Sequence, residues 1–131
     1  MAVGAKGGRR QMMQSCLVLF GGAIGALLRF WLGQQMQKRW GGAFPLPTFL
    51  INMLGSFALG LLFAASDGGP LWWLFGTGLL GAFTTFSTFS VEAMTLFQRG
   101  KRSVALAYLI GSATLGLLFA WLGLTVYGLL D

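Results

Sequence analysis

The stretch GTGLLGAFTTFSTFSVE, residues 76–92, lies within a long apolar segment and is unusually polar for that setting. Three glycines precede seven consecutive positions, 84–90, that hold only Thr, Ser or Phe. Glycines and hydroxyls in the middle of a membrane span indicate a broken helix, because Ser and Thr can pair with the backbone groups that a break frees. The carbonyls of the first half-helix could then hold a cation, and the amides of the second could face an anion. The alternative, a Ser/Thr-rich packing interface in an unbroken helix, is disfavoured by the density of hydroxyls.

The whole chain has the composition of a membrane protein. Of its 131 residues, 56% are hydrophobic and only 9% are charged, and the mean hydropathy is +0.74. A soluble domain of this size needs more charged residues to cover its surface. Four stretches are long enough to cross about 30 Å of hydrocarbon, at 15–34, 47–65, 71–97 and 103–127. We therefore expect an all-α membrane protein with four transmembrane helices, the third of them broken, in a single transmembrane domain over residues 1–131.

The basic residues flank the apolar stretches. A net charge of +6 would also suit a nucleic-acid-binding protein, but these cations form no patch with interleaved aromatics, so we expect no nucleic-acid partner. Cations at helix ends suit membrane insertion and lipid headgroups instead. We interpret the first apolar stretch as a retained span and not a signal peptide, since it continues past Arg29 without a small-residue cleavage site. Three Lys/Arg then lie on one side and five on the other. They are Lys6, Arg9 and Arg10 against Lys38, Arg39, Arg99, Lys101 and Arg102.

This charge bias is too weak to fix the orientation of the chain in the membrane. We take as a hypothesis that the chain inserts both ways and that inverted copies pair. The bias becomes stronger if residues 1–12 are not the native start, since Met12 or Met13 could also initiate translation.

Polar residues inside the spans are the candidates for function, because they are costly in hydrocarbon. In the second span Thr48, Asn52 and Ser56 recur every four residues along one helix face. The Asn52 carboxamide could donate to an anion or to a neighbouring helix, and the span alone favours neither. Glu92 is the only carboxylate in the apolar stretches, either a hydrogen-bond partner of the hydroxyls or a proton-coupled site.

Five further positions are candidates for an ion pathway. Phe86 and Phe89 lie three residues apart, a spacing more typical of core packing, yet their ring edges carry partial positive charge that could contact a small anion. Tyr108 and Ser112 lie four residues apart in the fourth span. Arg29 could snorkel to the interface or supply positive potential at a pathway mouth.

The residue inventory argues against an enzyme. The chain has no histidine and a single cysteine, Cys16, which excludes the usual zinc frameworks, His-based triads and an intramolecular disulfide. It also has no nucleophile–base pair and no cofactor motif.

Small residues recur at helix-packing spacing, as in the pairs Gly21/Gly25, Ser56/Gly60, Gly78/Ala82, Ser112/Gly116 and Gly116/Ala120. Such pairs let helices approach closely, within one chain or between copies. Because four short helices leave little room for a polar route, we expect a homo-oligomer.

The sequence resembles the Fluc (CrcB) family of fluoride channels. The resemblance lies in residues 81–92, in Thr48 followed four positions later by Asn52, and in Arg29 after residues 25–28, and it extends over essentially the whole chain in helix order and length. It implies an antiparallel, dual-topology homodimer of inverted copies in the bacterial cytoplasmic (inner) membrane, with two fluoride pathways.

The same resemblance implies roles for individual residues. A structural Na+ at the dimer centre would be held by the backbone carbonyls of Gly81 and Thr84. The fluoride pathway would be lined by Phe86, Phe89, Asn52, Thr48, Ser87, Thr88, Tyr108, Ser112, Glu92 and Arg29. The chain departs from the family where Ala82 and Phe83 replace a frequent Gly and Leu, and where Gly116 interrupts the serine track of some relatives, which leaves that track shorter or bridged by water.

The leading prediction is therefore a fluoride-specific ion channel that exports cytoplasmic fluoride passively and so reduces its toxicity. A negative-inside potential would drive the anion outward with roughly 2.3 kcal/mol per charge per 100 mV. The alternative is a four-span, proton-coupled small multidrug exporter that uses Glu92 as its coupling carboxylate. A third hypothesis is a non-transporting membrane subunit whose polar residues only hold helices together.

Overall fold

The computed structural model describes residues 2–130, with side chains from Lys6 onward. Met1 and Asp131, the two ends of the predicted domain, lie outside the described residues. The described chain is helical throughout apart from short connections, and four helical segments are long and apolar enough to cross a membrane. The predicted all-α architecture with four candidate spans is confirmed.

The four crossings are built from five helices, because the third crossing is interrupted. The helices are α1 (Ala2–Arg39), α2 (Leu46–Ala65), α3 (a π-helical segment, Trp72–Leu80, followed by one α-helical turn, Gly81–Phe83), α4 (Phe86–Gln98) and α5 (Arg102–Leu130). Between α3 and α4 the chain is extended at Thr84 (φ −76°, ψ 156°) and Thr85 (φ −143°, ψ 122°). The break predicted for the third span thus falls at these two threonines.

The first helix is longer than the predicted stretch 15–34. It contains 38 residues, so it is roughly 57 Å long, about twice the thickness of the hydrocarbon core. Residues 2–39 contain no proline, and helical hydrogen bonds are local, so the helix continues where hydrophobicity ends. Hydropathy therefore predicts which part of a helix lies in the hydrocarbon, but it does not predict where the helix begins and ends.

Glycines bring the backbones of neighbouring helices into direct contact. A Cβ atom added at Gly25 of α1 would overlap the Leu79 carbonyl of α3, and one at Gly21 would overlap the Leu74 carbonyl. The α2–α5 pair is packed in the same way, since a Cβ at Gly60 would overlap the Ala120 carbonyl. Small residues at the predicted spacing therefore do form close helix contacts within one chain.

The connections place the helix ends in two groups. The α2–α3 turn uses Gly68 at φ 79°, and the α4–α5 turn uses Gly100 at φ 76°, a left-handed conformation that glycine adopts without strain. Because successive crossings alternate in direction, the end of α1, the start of α2, the end of α4 and the start of α5 lie at the same side of the bundle. Asp67, in the α2–α3 turn, lies at the opposite side with the start of α1.

Candidate functional site

The break in the third crossing is held by a side chain from another helix. The Asn52 Nδ2 amide of α2 donates to the Thr85 carbonyl at 3.1 Å, and the Thr85 N–H donates to Asn52 Oδ1 at 2.9 Å. One carboxamide thus pairs with both backbone groups of Thr85, a residue in extended conformation at the break. Of the two uses predicted for Asn52, the structure contains the contact with a neighbouring helix, and one amide hydrogen remains for another acceptor.

The start of α4 is capped by hydroxyl groups. Thr85 is the N-cap residue, and its Oγ1 accepts from the Thr88 N–H at 3.2 Å and donates to Thr88 Oγ1 at 3.1 Å. Ser87 Oγ lies 3.3 Å from Thr85 Oγ1. Thr85 was not among the predicted site residues. A Thr at an N-cap with a hydroxyl residue three positions later is a sequence signal that could have identified it.

The carbonyls of Gly81 and Thr84 are among those that lose their helical donors at the break. In a continuous helix the Thr85 N–H would donate to the Gly81 carbonyl, but it donates to Asn52. Likewise the Thr88 N–H would donate to the Thr84 carbonyl, but it donates to Thr85 Oγ1. Gly81 and Thr84 are the two residues whose carbonyls are predicted to hold a cation.

Glu92 is held by two hydroxyls from other helices. Thr48 Oγ1 of α2 donates to Glu92 Oε1 at 2.9 Å, and Tyr108 Oη of α5 donates to Glu92 Oε2 at 2.8 Å. Tyr108 is completely buried, and its ring lies 5.0 Å from that of Phe89, which in turn lies 6.0 Å from that of Phe86. The carboxylate and the two phenylalanine rings are therefore joined through one tyrosine. The partners of Glu92 are hydroxyls, as one interpretation predicts, but they come from α2 and α5 and not from the adjacent Ser/Thr run.

One face of the break borders a cavity of about 450 Å3, here called the break cavity. Its lining includes Asn52, Gly81, Thr84, Phe86, Phe89 and Ser112. The Phe86 side chain is 80% exposed. The Ser112 hydroxyl oxygen is buried and finds no hydrogen-bond partner among the described residues. A polar group of this kind on an apolar wall can donate to a ligand or to a second chain.

A second cavity of about 470 Å3, here called the arginine cavity, lies on another side of the break. Its lining includes Arg29, Thr48, Ser87 and Thr88. Thr85 borders both cavities, so the break segment separates them. The predicted pathway residues are thus brought together in two groups, and Glu92 and Tyr108 are linked to the second group through the Thr48 hydroxyl. Tyr108 also adjoins the first group, because its ring lies 5.0 Å from that of Phe89, which lines the break cavity with Ser112.

Comparisons with known proteins match most of the chain. The family described as CrcB-like protein, Camphor Resistance (CrcB), matches residues 16–124. The chain is 43% identical over 120 residues to the fluoride-specific ion channel FluC 2 of Bacillus cereus, covering 90% of this chain and 100% of that protein. It is 47% identical over 117 residues to the fluoride-specific ion channel FluC of Oceanobacillus iheyensis, covering 86% and 89%. It is also 47% identical over 109 residues to the fluoride-specific ion channel FluC 1 of Listeria monocytogenes, covering 82% and 92%.

Proposed function

The chain belongs to the CrcB family, and from this premise we propose that it is a fluoride-specific ion channel that exports cytoplasmic fluoride passively. The observation that carries the proposal is the match over nearly all four crossings to relatives named fluoride-specific ion channels. The protein is a multi-pass protein of the bacterial cytoplasmic membrane. A negative-inside potential expels a permeant anion, so export needs no further energy source.

The family does not support the alternative of a proton-coupled exporter. Both oxygens of Glu92 already accept hydrogen bonds, from Thr48 and from Tyr108. A carboxylate held by two donors is suited to position those hydroxyls, whereas a coupling carboxylate must alternate between a proton and a cationic substrate.

We infer that fluoride passes along the break segment between the arginine cavity and the break cavity. Arg29 supplies positive potential in the first cavity, where the exposed hydroxyls of Ser87 and Thr88 can donate to the anion. Past the break, the free amide hydrogen of Asn52 and the exposed ring edge of Phe86 offer the next contacts. These donors replace the water that a small anion sheds as it enters a narrow route.

We propose that the functional unit is an antiparallel homodimer of inverted copies. The break cavity is open on a single chain, and it contains the exposed Phe86 ring, the extended backbone of Thr84 and the Asn52 carboxamide. At membrane depth such irregular backbone and polar groups are tolerated only when protein or water covers them. A second copy would cover them, and the nearly balanced Lys/Arg distribution allows that copy to insert in the opposite orientation.

We propose that the carbonyls of Gly81 and Thr84 hold a structural Na+. Both residues line the open break cavity, and both carbonyls have lost their helical donors. Unwound backbone carbonyls are the ligands that hold Na+ in membrane transport proteins with interrupted helices. Gly81 and Thr84 of one chain would supply two ligands, so a complete site would take the matching pair from the second copy. When bound, the ion supplies positive charge that offsets the mutual repulsion of these carbonyl dipoles.

Fluoride efflux from liposomes tests the channel function. Vesicles that contain the purified protein and potassium fluoride should release fluoride when valinomycin provides a potassium path, as followed with a fluoride electrode. Because conduction is passive, a protonophore should leave the initial rate unchanged. Fluoride retention equal to that of protein-free vesicles would contradict the proposal, and efflux lost in Glu92→Gln but kept in Phe86→Ile would favour the exporter.

Removal of Na+ tests the cation site and the dimer together. We expect the purified protein to run as a dimer with a higher melting temperature in sodium chloride than in N-methylglucamine chloride of equal ionic strength. The reason is that a ligand bound only by the assembled state stabilises that state by mass action. Gly81→Ala should keep the Na+ effect, because the carbonyl of residue 81 is retained and an added Cβ meets nothing in its own chain nearer than the Gly76 carbonyl at 3.8 Å. Equal melting temperatures in both salts would contradict a structural Na+.

A further inference from the structure

A third cavity lies among the helix ends on the side of the bundle where α1 ends and α5 begins. It measures about 440 Å3 and is here called the basic cavity. Its lining includes Trp40, from the α1–α2 connection, and Arg99 and Lys101, from the α4–α5 turn. Helix ends of this kind lie at the membrane–water boundary, so this cavity is at the depth of the lipid headgroups.

The two cations of the basic cavity form no ion pair with a carboxylate of the described residues. The only acidic residue in the lining is Glu92, and both of its oxygens accept hydrogen bonds from Thr48 and Tyr108. The other carboxylate of the described residues, Asp67, lies at the opposite side of the bundle. With two cations and one carboxylate on its wall, the cavity has a net positive charge that can attract an anion.

The remaining walls suit a lipid more than a free anion. The Trp40 indole N–H donates to the Phe44 carbonyl at 2.7 Å, which fixes the aromatic ring at the cavity edge. Tryptophan is favoured at the headgroup level of a bilayer. Val91 of α4 also lines the cavity and is 66% exposed, so an apolar surface leads away from the basic residues along the helix.

We propose that the basic cavity binds the headgroup of an anionic phospholipid. The guanidinium of Arg99 pairs with phosphate oxygens through its planar fork, and the Lys101 ammonium adds a point charge. An acyl chain of the same lipid lies along α4 at Val91. Basic pockets between transmembrane helices are known sites of anionic headgroups. Three other cations at this side, Lys38, Arg39 and Arg102, do not line the cavity and attract the leaflet only as diffuse charge.

Native mass spectrometry of the detergent-solubilised protein tests this site with phosphatidylglycerol and phosphatidylcholine of identical acyl chains. We expect phosphatidylglycerol to bind in preference to phosphatidylcholine. Arg99→Gln and Lys101→Gln should each weaken phosphatidylglycerol binding about fivefold, the effect of one cation next to anionic headgroups. Lys101→Arg should keep the affinity, which separates loss of charge from misfolding.

Lys38→Gln and Arg102→Gln are matched controls, since each removes one charge from the same side without touching the cavity. An equal loss of phosphatidylglycerol in all four charge-removing variants would mean diffuse attraction and would overturn the proposal. Equal binding of the two lipids would also overturn it. Displacement of phosphatidylglycerol by inorganic phosphate at the same concentration would show that the cavity takes a free anion instead.

Discussion

Replacement of Asn52 by Leu should abolish most fluoride conduction. The substitution removes the acceptor of the Thr85 N–H and the side-chain donor to the Thr85 carbonyl, because Asn52 pairs with both groups. Each unpaired buried backbone group costs about 1–3 kcal/mol. We expect the break segment to abandon its extended conformation, and efflux from liposomes to fall at least about tenfold, the factor that 1.4 kcal/mol represents.

Two further variants make the Asn52 experiment specific. Asn52→Asp should also conduct poorly, because a carboxylate can accept from the Thr85 N–H but cannot donate to the Thr85 carbonyl. Thr114→Val should conduct normally, since Thr114 is exposed on α5 and borders neither the break cavity nor the arginine cavity. Wild-type efflux by Asn52→Leu would mean that the Asn52–Thr85 pair does not maintain the route.

The position of the break could be predicted from the sequence, whereas the group that holds it could not. Glycines followed by hydroxyls in an apolar stretch are a local signal, and the interruption falls inside residues 84–90 as expected. Asn52 lies 33 positions away from Thr85, and its pairing depends on how α2 packs beside the break. A single sequence contains no record of such a distant contact, so it does not predict that Asn52 holds the break.

The sequence predicts that Glu92 has hydroxyl donors, but not which residues supply them. A carboxylate in an apolar stretch must have donors, and the Ser/Thr run next to it in sequence is the obvious source. The donors are instead Thr48 and Tyr108, which lie 44 and 16 positions away. The π-helical form of Trp72–Leu80 had no sequence signal that we identified, and we have no physical account of why this segment adopts it.

The sequence predicts the spacing of the small residues that pack helices closely, but not which helix each glycine contacts. Gly60 of α2 belongs to a predicted small-residue pair, and it lies against the Ala120 carbonyl of α5. Gly123, one turn further along α5, belongs to none of those pairs, yet a Cβ there would overlap the Phe57 carbonyl and lie 2.8 Å from the Leu61 nitrogen. The two glycines meet opposite backbones at one crossing, so α2 and α5 approach closely only because both lack a side chain.

Gly123→Ala should therefore destabilise the protein strongly although it adds a single methyl group. The methyl group meets backbone atoms, which cannot rotate away as a side chain could, and overpacking of this kind costs about 1–3 kcal/mol. Gly128→Ala is the matched control on α5, since nothing lies within 4 Å of its added Cβ. We expect the melting temperature, measured by circular dichroism in detergent, to fall for Gly123→Ala and not for Gly128→Ala.

The double variant Gly60→Ala, Gly123→Ala should lose less stability than the sum of the two single variants, because either methyl group alone forces the helices apart. Equal melting of the two single α5 variants would contradict the close α2–α5 crossing.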